Sequence, residues 1–229
     1  MKVETILIRL QDVADSSRLT HMERFGINVK NALGVSIPNL RLLAKEIPKN
    51  HSLALKLWDT GIHEARILAC YVDEIKRVTE FQLETWVKDF NSWDLCDQCC
   101  GNLFDRTPFA YSKAVEWSKR SEEFVKRAGF VLMATLSVHD KNAENKQFNI
   151  FFDRIKDESM DDRVYVKKAV NWALRQIGKR NQRLNEKAII VGLDILKIES
   201  KTARWIARDA LRELNCDKIQ ERLIYKLKN

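Results

Sequence analysis

VKKAVNWALRQIGKR, residues Val166–Arg180, is the stretch on which the fold turns. At about 100° per residue, Val166, Val170, Ala173, Leu174 and Ile177 gather on one side of a helix and form an apolar face. Lys168, Trp172, Arg175 and Lys179 fall at i, i+4, i+7 and i+11 on the other side, and Arg180 closes the segment. The period is helical, and the polar side is a cationic stripe with an indole in its middle. Such a surface suits phosphates lined along a helix, with a flat ring packed against sugar or base. A Trp covered by a neighbouring helix, beside solvated cations, answers the same pattern.

Outward from this segment the helical period recurs. Ile37-Pro38 opens a helix with proline in its first turn, and Pro48 stops it. Further helices are expected over His51–Trp58, His63–Ile75, Thr79–Phe90 with Thr79 as cap, and Ser92–Phe104 with Ser92 as cap. The chain restarts at Thr107-Pro108 toward Trp117, then runs from Ser121 to about Ser137. Glu144–Lys156, Asp161–Lys179, Leu184–Lys197, Lys201–Leu214 and Cys216–Leu227 complete the series. No strand is expected, since 7 Gly and 3 Pro are too few for a chain of hairpins. Helix pairs return at roughly the 40-residue pitch of HEAT-like units. The expected fold is all-α, a HEAT-like α-solenoid of stacked antiparallel helix pairs with a concave basic face; a compact irregular bundle is the alternative. No linker or low-complexity tract divides the sequence, so residues 1–229 are read as one domain.

Charge narrows the partner. The 229 residues carry 40 Lys+Arg against 32 Asp+Glu, a net +8, which favours a polyanion through counterion release. A second basic stripe, Lys201, Arg204, Arg208 and Arg212, lies at i, i+3, i+7 and i+11, with Glu199, Asp209 and Glu213 near enough to neutralise part of it. No apolar run approaches the roughly 18 residues that span a bilayer, and the first residues lack a signal-peptide core, so no membrane partner and a cytoplasmic location are expected. Five cysteines, an odd number, argue for free thiols; Cys96-x-x-Cys99 lacks further ligands at zinc spacing, so no metal and no cofactor are expected.

Against this basic background stands an acidic cluster, Trp93-Asp94-Leu95-Cys96-Asp97. Leu95, Cys96, Cys99, Cys100, Leu103 and Phe104 form the buried arc of its helix, and Asp94, Gln98 and Asp105 are expected to face water. Asp97 falls one turn after Trp93 at the arc's edge, where a carboxylate is partly desolvated and favours a nearby cation. A salt bridge to Arg127 or Arg66 meets that need as well. Arg127 lies at the margin of the apolar face of Glu122–Met133, four residues from Glu123.

Taken together, LGVSIPNLRLLAKEI at 33–47, LWDTGIHEARILA at 57–69, WDLCD at 93–97, FVKRAGF at 124–130 and YVKKAVNWALRQIGKRN at 165–181 resemble the AlkD-type DNA alkylation repair enzymes, a family of HEAT-like DNA glycosylases. The resemblance spans nearly the whole chain. It implies binding of duplex DNA and release of N3- and N7-alkylated purines without extruding the base. By the same resemblance Trp93 and Trp172 match the tryptophans that hold the lesion deoxyribose. Asp97 matches the catalytic aspartate, and Arg127 the arginine at the lesion backbone. Arg175 stands where a phosphate-contacting arginine is expected. Phe25 stands where a tyrosine hydroxyl belongs.

The expected activity is therefore that of a monofunctional glycosylase for cationic alkylpurines. Asp97 would stabilise the oxocarbenium-like transition state and orient water. Phe25, Lys168, Arg175, Lys179, Arg180, Arg204 and Arg208 would contact the DNA. A monomer suffices, and no protein partner is required. The competing expectations are a catalytically inactive nucleic-acid-binding scaffold and a protein-binding solenoid.

Overall fold

The computed structural model describes the backbone of residues 1–228 and the side chains of residues 1–225. Among the described residues there are fourteen α-helices and no strand. They are α1 (Val3–Asp12), α2 (Ser17–Arg24), α3 (Ile37–Glu46), α4 (His51–Asp59), α5 (His63–Val72), α6 (Glu80–Lys88) and α7 (Trp93–Asn102). After them come α8 (Ala110–Trp117), α9 (Glu123–His139), α10 (Asn149–Asp157), α11 (Val164–Gly178), α12 (Gln182–Leu196), α13 (Lys201–Leu214) and α14 (Asp217–Lys228). Contacts group them into two compact units, Met1–Thr107 and Pro108–Asn229.

Several expected starts carry the chemistry that sets them. Ser36, Asn50 and Thr79 each accept a hydrogen bond from a backbone N–H three residues on, as N-cap side chains do. Pro38 lies in the first turn of α3, where its missing N–H costs nothing. Three expected helices prove interrupted. Ile75–Arg77, Phe104–Arg106 and Asn145–Phe148 are separate 3-10 turns, because the preceding helix has already ended or the following one has not begun.

Within the second unit the helices form two layers. α9, α11 and α13 stack side by side in one, and α8, α10, α12 and α14 follow one another in the other. α8 packs on α9, α10 on α11 and α12 on α13, which is the pairwise stacking of HEAT-like repeats. Contacts between stacked helices recur at sequence separations of 35 (Asn171 to Ile206), 38 (Arg127 to Tyr165) and 43 (Arg180 to Ser137). In the first unit α3, α5 and α7 form the corresponding row, with α4 on α5. Its ties repeat at a shorter pitch, 31 residues for Trp58 to Asp89 and for His63 to Asp94.

Close approach fixes the α8–α9 pair. A Cβ at Gly129 would stand 2.4 Å from the Ser118 nitrogen and 2.9 Å from the Ala114 carbonyl oxygen, so only glycine fits the crossing. No helix of the described residues is long and apolar enough to cross a membrane.

Candidate nucleic-acid interface and its carboxylate

On α7, Leu95, Cys96, Cys99 and Cys100 are buried, as the period predicts, and Leu103 and Phe104 continue the buried arc beyond its end. Trp93 and Asp97 lie half-buried on the helix one turn apart. The Trp93 indole Nε1 donates to the Phe25 carbonyl at 2.8 Å, tying the end of α2 to the start of α7. The Phe25 ring is exposed, 4.7 Å from the His21 ring. The Asp97 charge reaches into the arc: burial pushes the Cys100 thiol well up, and Cys96, Asp97 and Asp105 add to the shift.

The other polar residues of α7 do not face water as expected. Asp94 is bonded to the buried His63 through Nε2 at 2.8 Å and accepts the Ser92 hydroxyl at 2.6 Å. Burial disfavours both charges of this pair, but the hydrogen bond and mutual attraction outweigh it. The His63 pKa is raised and that of Asp94 lowered. Ser92 is the N-cap residue, yet its hydroxyl goes to Asp94 and makes no cap bond. Gln98 accepts from the Tyr71 hydroxyl, and Asp105 is buried. For Asp94 and Gln98 the reason is tertiary: α5, which carries His63 and Tyr71, packs against the side of α7 that a single-helix wheel leaves open. Arg66 is engaged by Asp89 at 3.2 Å and lies over Trp58 at 5.1 Å.

The same packing overturns the expectation that all five thiols are free. Cys70 of α5 and Cys99 of α7 form a disulfide with Cα atoms 5.4 Å apart, a pairing that depends on which helices meet rather than on spacing along the chain. Cys96 and Cys100 are buried outside that bond. Among the described residues no group of three or more His, Cys, Asp or Glu is placed to hold a metal ion.

In the second unit Arg127 is buried on α9, and its Nη1 donates to the Tyr165 carbonyl at 2.7 Å, at the start of α11. The α11 faces are phased as the sequence indicates. Val166, Val170, Ala173, Leu174 and Ile177 are fully buried, Lys168 is exposed, and Trp172, Arg175 and Lys179 are half-buried. What the wheel missed is α13. Glu213 pairs with Arg175 and, at 2.5 Å, with Lys179, while Asp209 lies 3.8 Å from Arg175. Burial opposes the Glu213 charge, but Lys179 and Arg175 hold its carboxyl below the usual range. Two of the three cations on the α11 stripe are therefore already answered. Lys168 has no carboxylate partner among the described residues.

Arg180 serves the fold. It donates to the carbonyls of Ser137, Lys141 and Ala143 and lies over Phe148 at 4.9 Å, satisfying the end of α9. It also borders an open pocket of about 360 Å³ together with Lys141, Lys179 and Arg222. Arg204 and Arg208 are exposed on α13. Beside them stands Trp205, 43% exposed, which the charge pattern did not single out although its place next to Arg204 was readable.

A family model described as DNA alkylation repair enzyme matches residues 6–214. A solved structure described as "a new family of proteins related to the HEAT-like repeat DNA glycosylases with affinity for branched DNA structures" superposes with a TM-score of 0.78. It is 20% identical over 93% of this chain and 95% of its own, a likeness that shows the fold. Among curated proteins no match is found.

Proposed function

Because the chain belongs to the DNA alkylation repair enzyme family, we propose that it is a monofunctional DNA glycosylase releasing positively charged N3- and N7-alkylated purines from duplex DNA. The observation that carries this reading is Asp97, a half-buried carboxylate one turn from a half-buried tryptophan in a protein of net charge +8. Acid at such a place repels phosphate but attracts a cation.

The chemistry asks for little else. A purine alkylated at N7 or N3 carries a positive charge, so it leaves with the glycosidic bond pair and becomes neutral without being protonated. Positive charge then develops on the sugar. A carboxylate fixed beside it stabilises the transition state more than the ground state. Water adds to C1′ and gives up its proton, for which Asp97 is the base. The indoles of Trp93 and Trp172 would lie against the deoxyribose with their electron-rich faces toward the developing charge. Arg127 would meet the lesion-strand backbone. Lys168, Arg175, Lys179, Arg204 and Arg208 would contact phosphates, with Phe25 and Arg180 at the margins. α7 contains no lysine, in keeping with hydrolysis rather than Schiff-base chemistry. No metal or cofactor enters any step.

The test is the charge of the lesion. Release of N7-methylguanine from a duplex is expected to exceed release of neutral hypoxanthine from the same sequence by at least about 100-fold, the scale of one fixed electrostatic contact. Comparable rates on the two lesions reject the cation-stabilising reading. Binding without release of either base favours the scaffold.

A further inference from the structure

The exposed face of α13 carries more than scattered charge. Lys201, Arg204, Trp205, Arg208, Asp209 and Arg212 line one open groove of about 460 Å³. Trp205 is among its walls, 43% exposed, with the Lys167 ammonium of α11 at 5.8 Å from its ring centroid. Asp209 is the groove's acid, and it is already bonded to Arg212 at 2.5 Å and close to Arg175. Lys201, Arg204 and Arg208 have no carboxylate partner among the described residues. From Lys201 to Arg212 the cations follow the helix axis over about 16 Å, at 1.5 Å per residue.

We propose that this groove binds a single-stranded nucleic-acid segment, with one unpaired base stacked on Trp205 and its flanking phosphates on Arg204 and Arg208. An anion alone would be served by the arginines, and the large exposed indole would add nothing. A duplex presents phosphate and sugar at its surface while its base faces are covered by their neighbours. An indole set between cations gains most from a base whose π-face is open, and that combination of stacking and charge is how unpaired strands are held without sequence preference. The groove is built from one helix and a single aromatic, which suits one base. It contains neither Asp97 nor Trp93; Arg204 and Arg208 are shared with the proposed duplex contacts, and Trp205 is what sets the single-strand binding apart.

The experiment is fluorescence anisotropy with two lesion-free probes, a labelled 12-nucleotide oligothymidylate and a hairpin duplex, over a range of salt. Trp205→Ala is expected to weaken oligothymidylate binding about tenfold, within the range set by one stacked base, and duplex binding less than twofold. Trp205→Phe should retain most of the affinity, because a ring remains. Arg204→Gln and Arg208→Gln should each lower the salt slope on the single strand by about 0.7. Equal losses on both probes would overturn the proposal in favour of a duplex-backbone surface, and no loss on either would make this a solvated face. Trp205→Phe as weak as Trp205→Ala would remove stacking from the account. Asp97→Asn serves as the control: oligothymidylate binding is expected to be unchanged in it, whatever becomes of base release.

Discussion

The helices α7 and α11 each carry one of the two tryptophans proposed to act on a lesion, and they treat their polar residues in opposite ways. On α7 the polar groups are tied inward: Asp94 to His63 and Ser92, Gln98 to Tyr71, Trp93 to the Phe25 carbonyl. On α11 Lys168 stands in solvent, while Arg175 and Lys179 share one half-buried carboxylate, Glu213. Charge stabilisation in a transition state needs groups that do not reorganise, and α7 is built that way. Phosphate binding exchanges one set of counterions for another, and ion pairs on a half-exposed face can make that exchange. One helix is arranged for position, the other for replaceable partners.

The sharpest way to break the α7 side is to remove the buried partner of Asp94. His63→Leu leaves the Asp94 carboxylate with only the Ser92 hydroxyl and the Leu95 backbone N–H, and is expected to destabilise the protein by about 3 kcal/mol, as for other broken buried pairs. Urea unfolding across pH reads it. The folded His63 pKa is raised, so its contribution is complete below about pH 6.5 and fades as pH rises through the raised value. The Asp94 pKa is lowered, so its contribution is present above about pH 3.9 and is lost as pH falls further. The difference between wild type and variant should therefore peak between those limits. A difference independent of pH would mean that shape, not charge, is what His63 supplies.

On the α11 side, Glu213→Gln removes the carboxylate that answers Arg175 and Lys179. Duplex affinity should rise several-fold at moderate salt, and the slope of log affinity against log salt should steepen by about 1, the value for one more phosphate neutralised. Unchanged affinity would show that these cations do not reach DNA, and would leave Lys168 and the α13 arginines as the α11–α13 contacts.

Much of this contrast was legible in the sequence, though unevenly. Period, Pro38 and the cap at Thr79 located several helix starts, and period phased α11 correctly, because those signals are local: Pro38 lies in the first turn of α3, Thr79 caps α6 through its own side chain, and the buried positions of α11 recur within fifteen residues. The breaks at Ile75, Phe104 and Asn145–Phe148 were missed, since a tightened turn leaves the hydrophobic spacing nearly intact. Asp94, Gln98 and Asp105 were misplaced for a different reason. The partners of Asp94 and Gln98 come from a neighbouring helix, with His63 31 residues and Tyr71 27 residues away, and a wheel records one helix at a time. The Cys70–Cys99 bond and the Glu213 pairs were out of reach on the same ground. Motif resemblance pointed to Asp97, Trp93, Trp172 and Arg127, whereas the Phe25 carbonyl that holds Trp93 and the Tyr165 carbonyl that accepts from Arg127 emerged only from packing.

The central claim is that Asp97 acts on the reaction and not on binding. Its most direct test is single-turnover release of N7-methylguanine from a duplex, wild type against Asp97→Asn, with duplex affinity measured alongside. The rate constant is expected to fall by at least about 100-fold while affinity is kept or strengthened, because a negative charge has left a basic surface. Equal rates in the two proteins would contradict it.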